Sequence, residues 1–238
     1  MENFLTSFLR RIGVSDFDDK WVSLITKDPF SLVYFPTWRR LKNSHLNTLD
    51  VGVPWYSFKS IEWRNSFLRK GMKIFEWGSG GSTLFFSQRV ADVTTIEHDF
   101  KWFTKVASVL KEKKFKNVHI KLVNPTITKE KLTSNKPNLY RSASKNWGQF
   151  SFKNYCMAID RYKDESFELV AVDGRARPSC ILHAIPKVKV GGYLLLDNSD
   201  REEYKTGVDL LVGWKRTDFK GPFPFIADFL QTSVFKKP

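Results

Sequence analysis

From residue 57 onward, the apolar positions change period in a regular rhythm. Residues 57–69 place Ile61, Phe67 and Leu68 at helical spacing, and Gly71 reads as the stop. Residues 72–77 form a short apolar run that predicts a strand. Residues 82–90 read as a helix and 92–97 as a strand. Within 100–113, Trp102, Phe103, Val106, Val109 and Leu110 make one helical stripe, and 117–123 alternates as a strand. Residues 154–162, 179–187 and 201–212 read as helices. The runs 167–173 and 192–197 are almost continuously apolar, which suits parallel strands buried on both faces. Two last strands are predicted at 214–219 and 232–236. The polar stretch 124–150, rich in Ser, Asn, Lys and Pro, predicts a loop or lid.

Strands alternating with helices predict an α/β fold: a Rossmann-like, seven-stranded, mostly parallel sheet with helices on both faces. Gly221, Pro222 and Pro224 leave no room for a helical crossover between the last two strands. The last strand is therefore expected to be antiparallel. Residues 54–238 make up this domain, and residues 1–53 read as an N-terminal extension of helical fragments. Within the extension, residues 3–12 are amphipathic through Phe4, Leu5, Phe8 and Leu9. Packing on the protein's own core is the favoured reading, with peripheral membrane contact of residues 1–12 through Arg10 and Arg11 as the alternative.

Composition adds limits. The 238 residues are 42% hydrophobic, 15% aromatic and 27% charged, an ordinary globular balance with an aromatic surplus. No apolar run approaches the ~20 residues needed to cross a bilayer, and no secretory pattern is present at the start. Only Cys156 and Cys180 occur, which excludes a disulfide framework or Cys-rich zinc site and makes a reducing, cytoplasmic location the expectation. The net charge is +14. Residues 101–145 carry twelve Lys or Arg against Glu112 and Glu130. Such a field favours anionic partners, whether nucleic acid, lipid headgroups or acidic substrates, or it is a solvated basic face.

In open α/β sheets, ligands bind outside the carboxyl ends of the strands. The first strand ends in Glu76, Trp77, Gly78, Ser79, Gly80, Gly81, Ser82 and Thr83. A phosphate-binding P-loop would need a lysine that is missing here. A dinucleotide fingerprint would need a third glycine where Thr83 stands. The glycine loop of a nucleoside-binding methyltransferase, with an acid two residues before the first glycine, is the third reading. The second strand ends in Ile96, Glu97, His98 and Asp99. Glu97 follows Gly78 by 19 residues, and an ionised carboxylate there can accept both hydroxyls of a ribose. Asp99 reads as a helix cap.

The strings 76–83 and 96–99, Val-Asp-Gly-Arg-Ala-Arg at 172–177 and Leu-Leu-Asp-Asn-Ser-Asp-Arg at 195–201 together resemble class I S-adenosylmethionine-dependent methyltransferases. They are most similar to a bacterial branch of that family, over residues 54–235. The resemblance implies a seven-stranded sheet with an antiparallel last strand, S-adenosylmethionine as cofactor, and an enzyme that transfers a methyl group. It implies that Glu76, Gly78, Ser79, Gly80, Gly81, Ser82 and Thr83 hold the methionine end, that Glu97 holds the ribose, and that His98 sits at the adenosine edge. It is silent on substrate.

The fourth strand ends in Asp173 and the fifth in Asp197 and Asn198, 24 residues further on from Asp173. The catechol branch of the family holds a divalent metal with these residue types, so Asp173, Asp197 and Asn198 are metal candidates, with Mg²⁺ the expected ion. The competing reading pairs Asp173 with Arg175 or Arg177 and leaves no need for a metal. Asp173 is in either case the candidate base or orienting residue. Arg175, Arg177 and Arg201 are candidates for binding an acidic substrate. Two functions are carried forward: methylation of oxygen or nitrogen on a small, anionic molecule, and an RNA-directed methyltransferase or nucleic-acid binder using residues 101–145.

Overall fold

Residues 18–238 are described in this computed structural model, so the amphipathic stretch expected at 3–12 lies outside the described residues. The strands are β1 (Lys73–Trp77), β2 (Asp92–Glu97), β3 (Val118–Leu122), β4 (Thr126–Ile127), β5 (Phe150–Ser151), β6 (Phe167–Val172), β7 (Val188–Asp197), β8 (Lys215–Pro222) and β9 (Phe229–Lys236). Seven of them form one sheet in the order β3-β2-β1-β6-β7-β9-β8. The pairs from β3 through β7 are parallel, and β9 runs antiparallel to both β7 and β8. The helices are α1 (Asp19–Lys27), α2 (Phe35–Lys42), α3 (Thr48–Val51), α4 (Phe58–Phe67), α5 (Gly81–Ser87), α6 (Phe100–Glu112), α7 (Lys153–Cys156), α8 (Arg177–Ala184) and α9 (Lys205–Val208).

Alternation along the central strands feeds two cores. Phe75 and Trp77 of β1, Val170 and Val172 of β6, and Leu194 and Leu196 of β7 face α7 and α8, where they meet Tyr155, Cys180 and Ile181. Ile74, Leu169, Ala171 and Leu195 face the other way, onto Tyr56, Phe85 and Phe86. Burial on both faces explains why these strands read as continuous apolar runs. On the second face Trp63 and Phe67 of α4 pack edge-on against Tyr193, with ring centroids 4.9 and 4.8 Å away.

The local structure departs from the sequence reading in several places. Helix α4 stops at Phe67, with an extended Leu68 as its cap, before Gly71 is reached. The helix expected at 154–162 is one turn of α7 followed by a 3₁₀ turn, Met157–Ile159. The helix expected at 201–212 is a 3₁₀ turn, Glu202–Tyr204, and the single turn of α9. Gly207 there packs so closely on Pro178 that a Cβ would lie 2.7 Å from its Cα, which favours a close approach over helix length. Strand β7 begins at Val188, because the glycines at 191 and 192 lie inside the strand beside an irregular register with β6. The stretch 124–150 carries the small β4–β5 ladder and is hydrogen-bonded to itself, Leu132 N donating to Gly148 O at 2.8 Å.

The segment from α1 to α3 is anchored at the end of the sheet. Trp21 and Trp38 pack with Phe229 of β9, and Trp38 Nε1 donates to Ile226 O at 2.9 Å. Further on, the chain lies against the glycine loop. A Cβ on Gly81 would fall 2.3 Å from Val53 O and 2.5 Å from Thr48 O, both backbone atoms. Gly81→Ala is therefore expected to lower the urea-unfolding stability by about 1–3 kcal/mol, the usual range for overpacking. Gly71→Ala, where nothing lies within 4 Å of the new carbon, should change it little. Equal stabilities for the two variants would show that residues 48–53 are not held against the loop.

Candidate functional site

A groove of about 720 Å³ opens at the carboxyl ends of β1, β2, β6 and β7. It brings together most of the residues singled out from the sequence: Gly78, Ser79, Gly80, Gly81 and Ser82; Glu97 and His98; Asp173, Arg175 and Arg177; Asp197, Asn198 and Arg201. Glu76 and Thr83 do not line it. They lie beneath the loop, where Glu76 Oε2 accepts from Thr83 Oγ1 at 2.6 Å and Thr83 Oγ1 accepts from Gly80 N at 3.0 Å. Burial pushes the Glu76 carboxyl up to about 7, against hydrogen bonds such as that of Thr83. Glu76 thus shapes the loop from below. Gly78 takes φ +94° where a Cβ would press on the Asp173–Gly174 peptide at 3.0 Å. Gly80 differs: its backbone is extended, and a Cβ there would meet only the Trp102 ring, at 3.8 Å.

Glu97 is only 2% exposed, and its carboxylate is fully occupied. Oε2 accepts from Ser79 N at 3.0 Å and Ser79 Oγ at 2.9 Å. Oε1 accepts from His98 N at 2.8 Å and Asp99 N at 3.0 Å, and His98 Nδ1 lies 2.9 Å away. Burial alone would raise this carboxyl, but the donors of His98 and Asp99 outweigh it and hold it below the usual range. The sequence suggested two oxygens open to a ribose. The structure shows them tying the end of β2 to the glycine loop, a consequence of backbone N–H groups that no side-chain pattern reveals. Asp99 caps α6, its Oδ1 accepting from Trp102 N at 2.8 Å.

At the other wall, Arg177 reaches between the ends of β6 and β7. Its Nη2 donates to Asp173 Oδ1 at 3.0 Å and to Asp173 O at 3.1 Å. Its Nη1 donates to Asp197 O and lies 3.7 Å from Asp197 Oδ2, and its Nε donates to Gly174 O at 3.1 Å. Burial disfavours the guanidinium charge, yet the Tyr204 phenol and the two carboxylates keep it firmly protonated. Burial raises both carboxyls, the Asp197 charge adds to the rise at Asp173, and Arg177 opposes the shift in each. Asp173 keeps an edge toward the groove, its side chain 22% exposed against 5% for Asp197. Ala176 and Asn198, just past the two strand ends, both adopt left-handed backbone, at φ +50° and +49°. A second buried guanidinium, Arg64, lies 4.3 Å over the Tyr56 ring; burial lowers it to about 10, while Tyr56 and the carboxylates Asp197, Asp173 and Glu76 support its charge.

This arrangement corrects two expectations. The metal reading of Asp173, Asp197 and Asn198 does not fit, because Arg177 supplies the cation between the carboxylates and Asp197 Oδ1 already accepts from Thr232 Oγ1 at 3.0 Å. Among the described residues no group of three or more His, Cys, Asp or Glu is placed to hold a metal ion. Arg177, also expected to reach substrate, is fully engaged inside the protein. Arg175 and Arg201 remain on the groove wall.

Other lining residues escaped the sequence reading. Trp102 donates from Nε1 to Ser79 O at 2.7 Å and so pins the loop, yet in the sequence it fits the core stripe of α6. Thr48, Trp55, Phe223 and Ile226 reach the groove from the N-terminal segment and the β8–β9 connection. Trp147, from the stretch expected to act as a lid, lies 5.0 Å from the His98 ring and 5.5 Å from the Arg175 guanidinium.

The same fold is found in solved structures. An rRNA methylase from Streptococcus thermophilus aligns with a TM-score of 0.51 and 12% identity, over 75% of this chain and 93% of that one. The tRNA (m1A58) methyltransferase TrmI from Aquifex aeolicus aligns with a TM-score of 0.50 and 12% identity, over 78% and 71%. SMU.1697c from Streptococcus mutans, solved in complex with SAH, aligns with a TM-score of 0.49 and 14% identity, over 74% and 97%. No family model matches the chain, and no curated protein matches its sequence. The chain has the Rossmann-like fold of class I S-adenosylmethionine-dependent methyltransferases.

The Arg177 bridge can be tested directly. Arg177→Met leaves two buried carboxylates facing each other without a cation, a change that usually costs about 3–5 kcal/mol. The carboxyls in the variant should hold protons to higher pH than in the unfolded chain. Stability is then fullest below the unfolded value and falls as pH rises through the folded one. Urea unfolding should therefore show a larger loss at pH 7.5 than at pH 5.5. The same loss at both values would mean that Arg177 does not separate Asp173 from Asp197.

Proposed function

We propose that this protein is an S-adenosylmethionine-dependent methyltransferase acting on an oxygen or nitrogen of a small, anionic acceptor. One observation carries the reading: the glycine loop, Glu97 with His98, and Asp173 converge on one groove at the carboxyl ends of the parallel strands of this fold. The groove fits the adenosyl cofactor where it is left open. Gly80 leaves space beside Trp102, and His98 and Trp147 offer aromatic edges next to Glu97.

The cofactor supplies an electrophilic methyl group on a sulfonium. The chain's own part is mainly alignment and exclusion of water, since in-line displacement needs donor and acceptor held at about 3 Å. Gly78 to Ser82 form the floor for the methionine end. Glu97 Oε2, which accepts from Ser79 Oγ at 2.9 Å, would hold a ribose hydroxyl at that position. The edge of Asp173 that faces the groove orients the attacking group and accepts its proton, with the Arg177 guanidinium at 3.0 Å favouring the ionised carboxylate that this role needs. Arg175 and Arg201 attract the acceptor's negative charge. A second reading, an RNA-directed enzyme, draws on the exposed lysines of α6 and its surroundings, including Lys101, Lys105, Lys111, Lys113 and Lys114. It requires RNA affinity that falls steeply with salt.

The test is calorimetric titration with S-adenosylmethionine and S-adenosylhomocysteine, with NAD as control. Both adenosyl ligands should bind and NAD should not. Gly80→Leu should weaken that binding at least 100-fold while leaving the melting temperature nearly unchanged, since its side chain enters the groove and not the core. No adenosyl binding by the folded wild-type protein would overturn the proposal.

A further inference from the structure

Beside the groove, past the Gly174–Arg177 turn, lies a second hollow of about 320 Å³. One wall is the segment 134–144, and the other includes Arg201, Glu203 and Tyr204. Gly174, Arg175, Arg177 and Arg201 line both spaces, so the two are neighbours across a single turn of chain. The wall is pre-formed: Ser134 N donates to Ser142 O at 3.4 Å, Phe152 N to Tyr140 O at 2.8 Å, and Thr206 Oγ1 to Asn135 O.

The charges of this hollow are unbalanced. Arg177 is neutralised by Asp173 and Asp197. Three guanidiniums remain. Arg141 Nη1 donates to the neutral Thr128 Oγ1 at 2.6 Å. Arg175 lies against Trp147 and has no carboxylate partner among the described residues. Arg201 lies 3.9 Å from Glu203, an exposed pair of little strength. Arg177 has two carboxylates and Arg201 has Glu203, so the guanidiniums without a carboxylate partner among the described residues are Arg141 and Arg175, and these two are left to be met by a ligand. The residue type points the same way. Of the twelve cations in 101–145, eleven are lysines, and the one arginine, Arg141, is the one that lines the hollow. Guanidinium forks match oxyanions, whereas lysines serve as solvated point charges.

We propose that this hollow binds a phosphate monoester group of the methyl acceptor. A monoester carries about −1.5 to −2 charge at pH 7, which matches the uncompensated pair, whereas a single carboxylate or a phosphodiester carries one. The acceptor then straddles the Gly174–Arg177 turn, with its phosphate among Arg141, Arg175 and Arg201 and its nucleophile at Asp173. The proposal rests on the methyltransferase reading for the identity of the acceptor, but the anion site is testable by itself.

The experiment titrates inorganic phosphate into the full chain by calorimetry at constant ionic strength, with acetate as the monoanion and a uridine homopolymer as the phosphodiester. Wild type, Arg141→Gln, Arg141→Lys and the surface variant Lys121→Gln are compared, and S-adenosylhomocysteine is titrated into each. One phosphate should bind per chain. Arg141→Gln should weaken it at least tenfold, Arg141→Lys should weaken it less, and Lys121→Gln should leave it unchanged. S-adenosylhomocysteine should bind all four alike, which also shows that they are folded. The proposal is overturned if phosphate fails to bind, if acetate binds as well, if Arg141→Gln has no effect, or if only the homopolymer binds. Loss of S-adenosylhomocysteine binding by wild type, with the phosphate results intact, would instead remove the methyltransferase reading and leave the anion site standing.

Discussion

Arg177 is the contact on which the site depends. It sits on the first turn of α8, yet its donors go to the ends of two strands, Asp173 after β6 and Asp197 at the end of β7. Without a cation there, burial would bring two carboxylates together in a low-dielectric space, at a cost that paired charges avoid. With it, the strand ends are drawn together and the following peptides turn sharply. Left-handed Ala176 and Asn198 mark those turns. Strain of this kind persists where the surroundings over-determine the backbone.

The opposite wall uses the same economy of polar groups. Glu97 is buried and accepts from the loop that precedes α5 and from the backbone that leads into α6. Trp102 adds a second tie to Ser79. The glycine loop is therefore held from the front by Glu97 and Trp102, from below by Glu76 through Thr83, and from behind by Thr48 and Val53. A loop fixed on three sides loses little entropy when it meets a ligand, which is the physical value of preorganisation. The N-terminal segment is part of this support and contributes Thr48 to the groove itself.

Charge divides the surface into two kinds of place. The lysines along α6 and β3 are exposed and form a field that draws anions from a distance. Four arginines, Arg141, Arg175, Arg177 and Arg201, line the spaces at the carboxyl edge of the sheet, and Arg177 is buried there against two carboxylates. The first arrangement governs encounter and is screened by salt. The second governs geometry and is screened much less.

Several features were legible in the sequence because they are local. Strand runs such as 167–173, the glycine loop after β1 and the cap Asp99 depend on period and turn chemistry within a few residues. The order in which motifs follow strands placed Gly80, Glu97 and Asp173 at one edge, since parallel strands all end on the same side. What tertiary structure decided was the partner of each polar group. Arg177 chose both Asp173 and Asp197, Glu97 turned inward to backbone N–H groups, and the 124–150 stretch became a wall pinned by Thr206. Those choices hang on the approach of groups far apart in the chain and on which of them is buried, and neither distance nor burial is written in residue order.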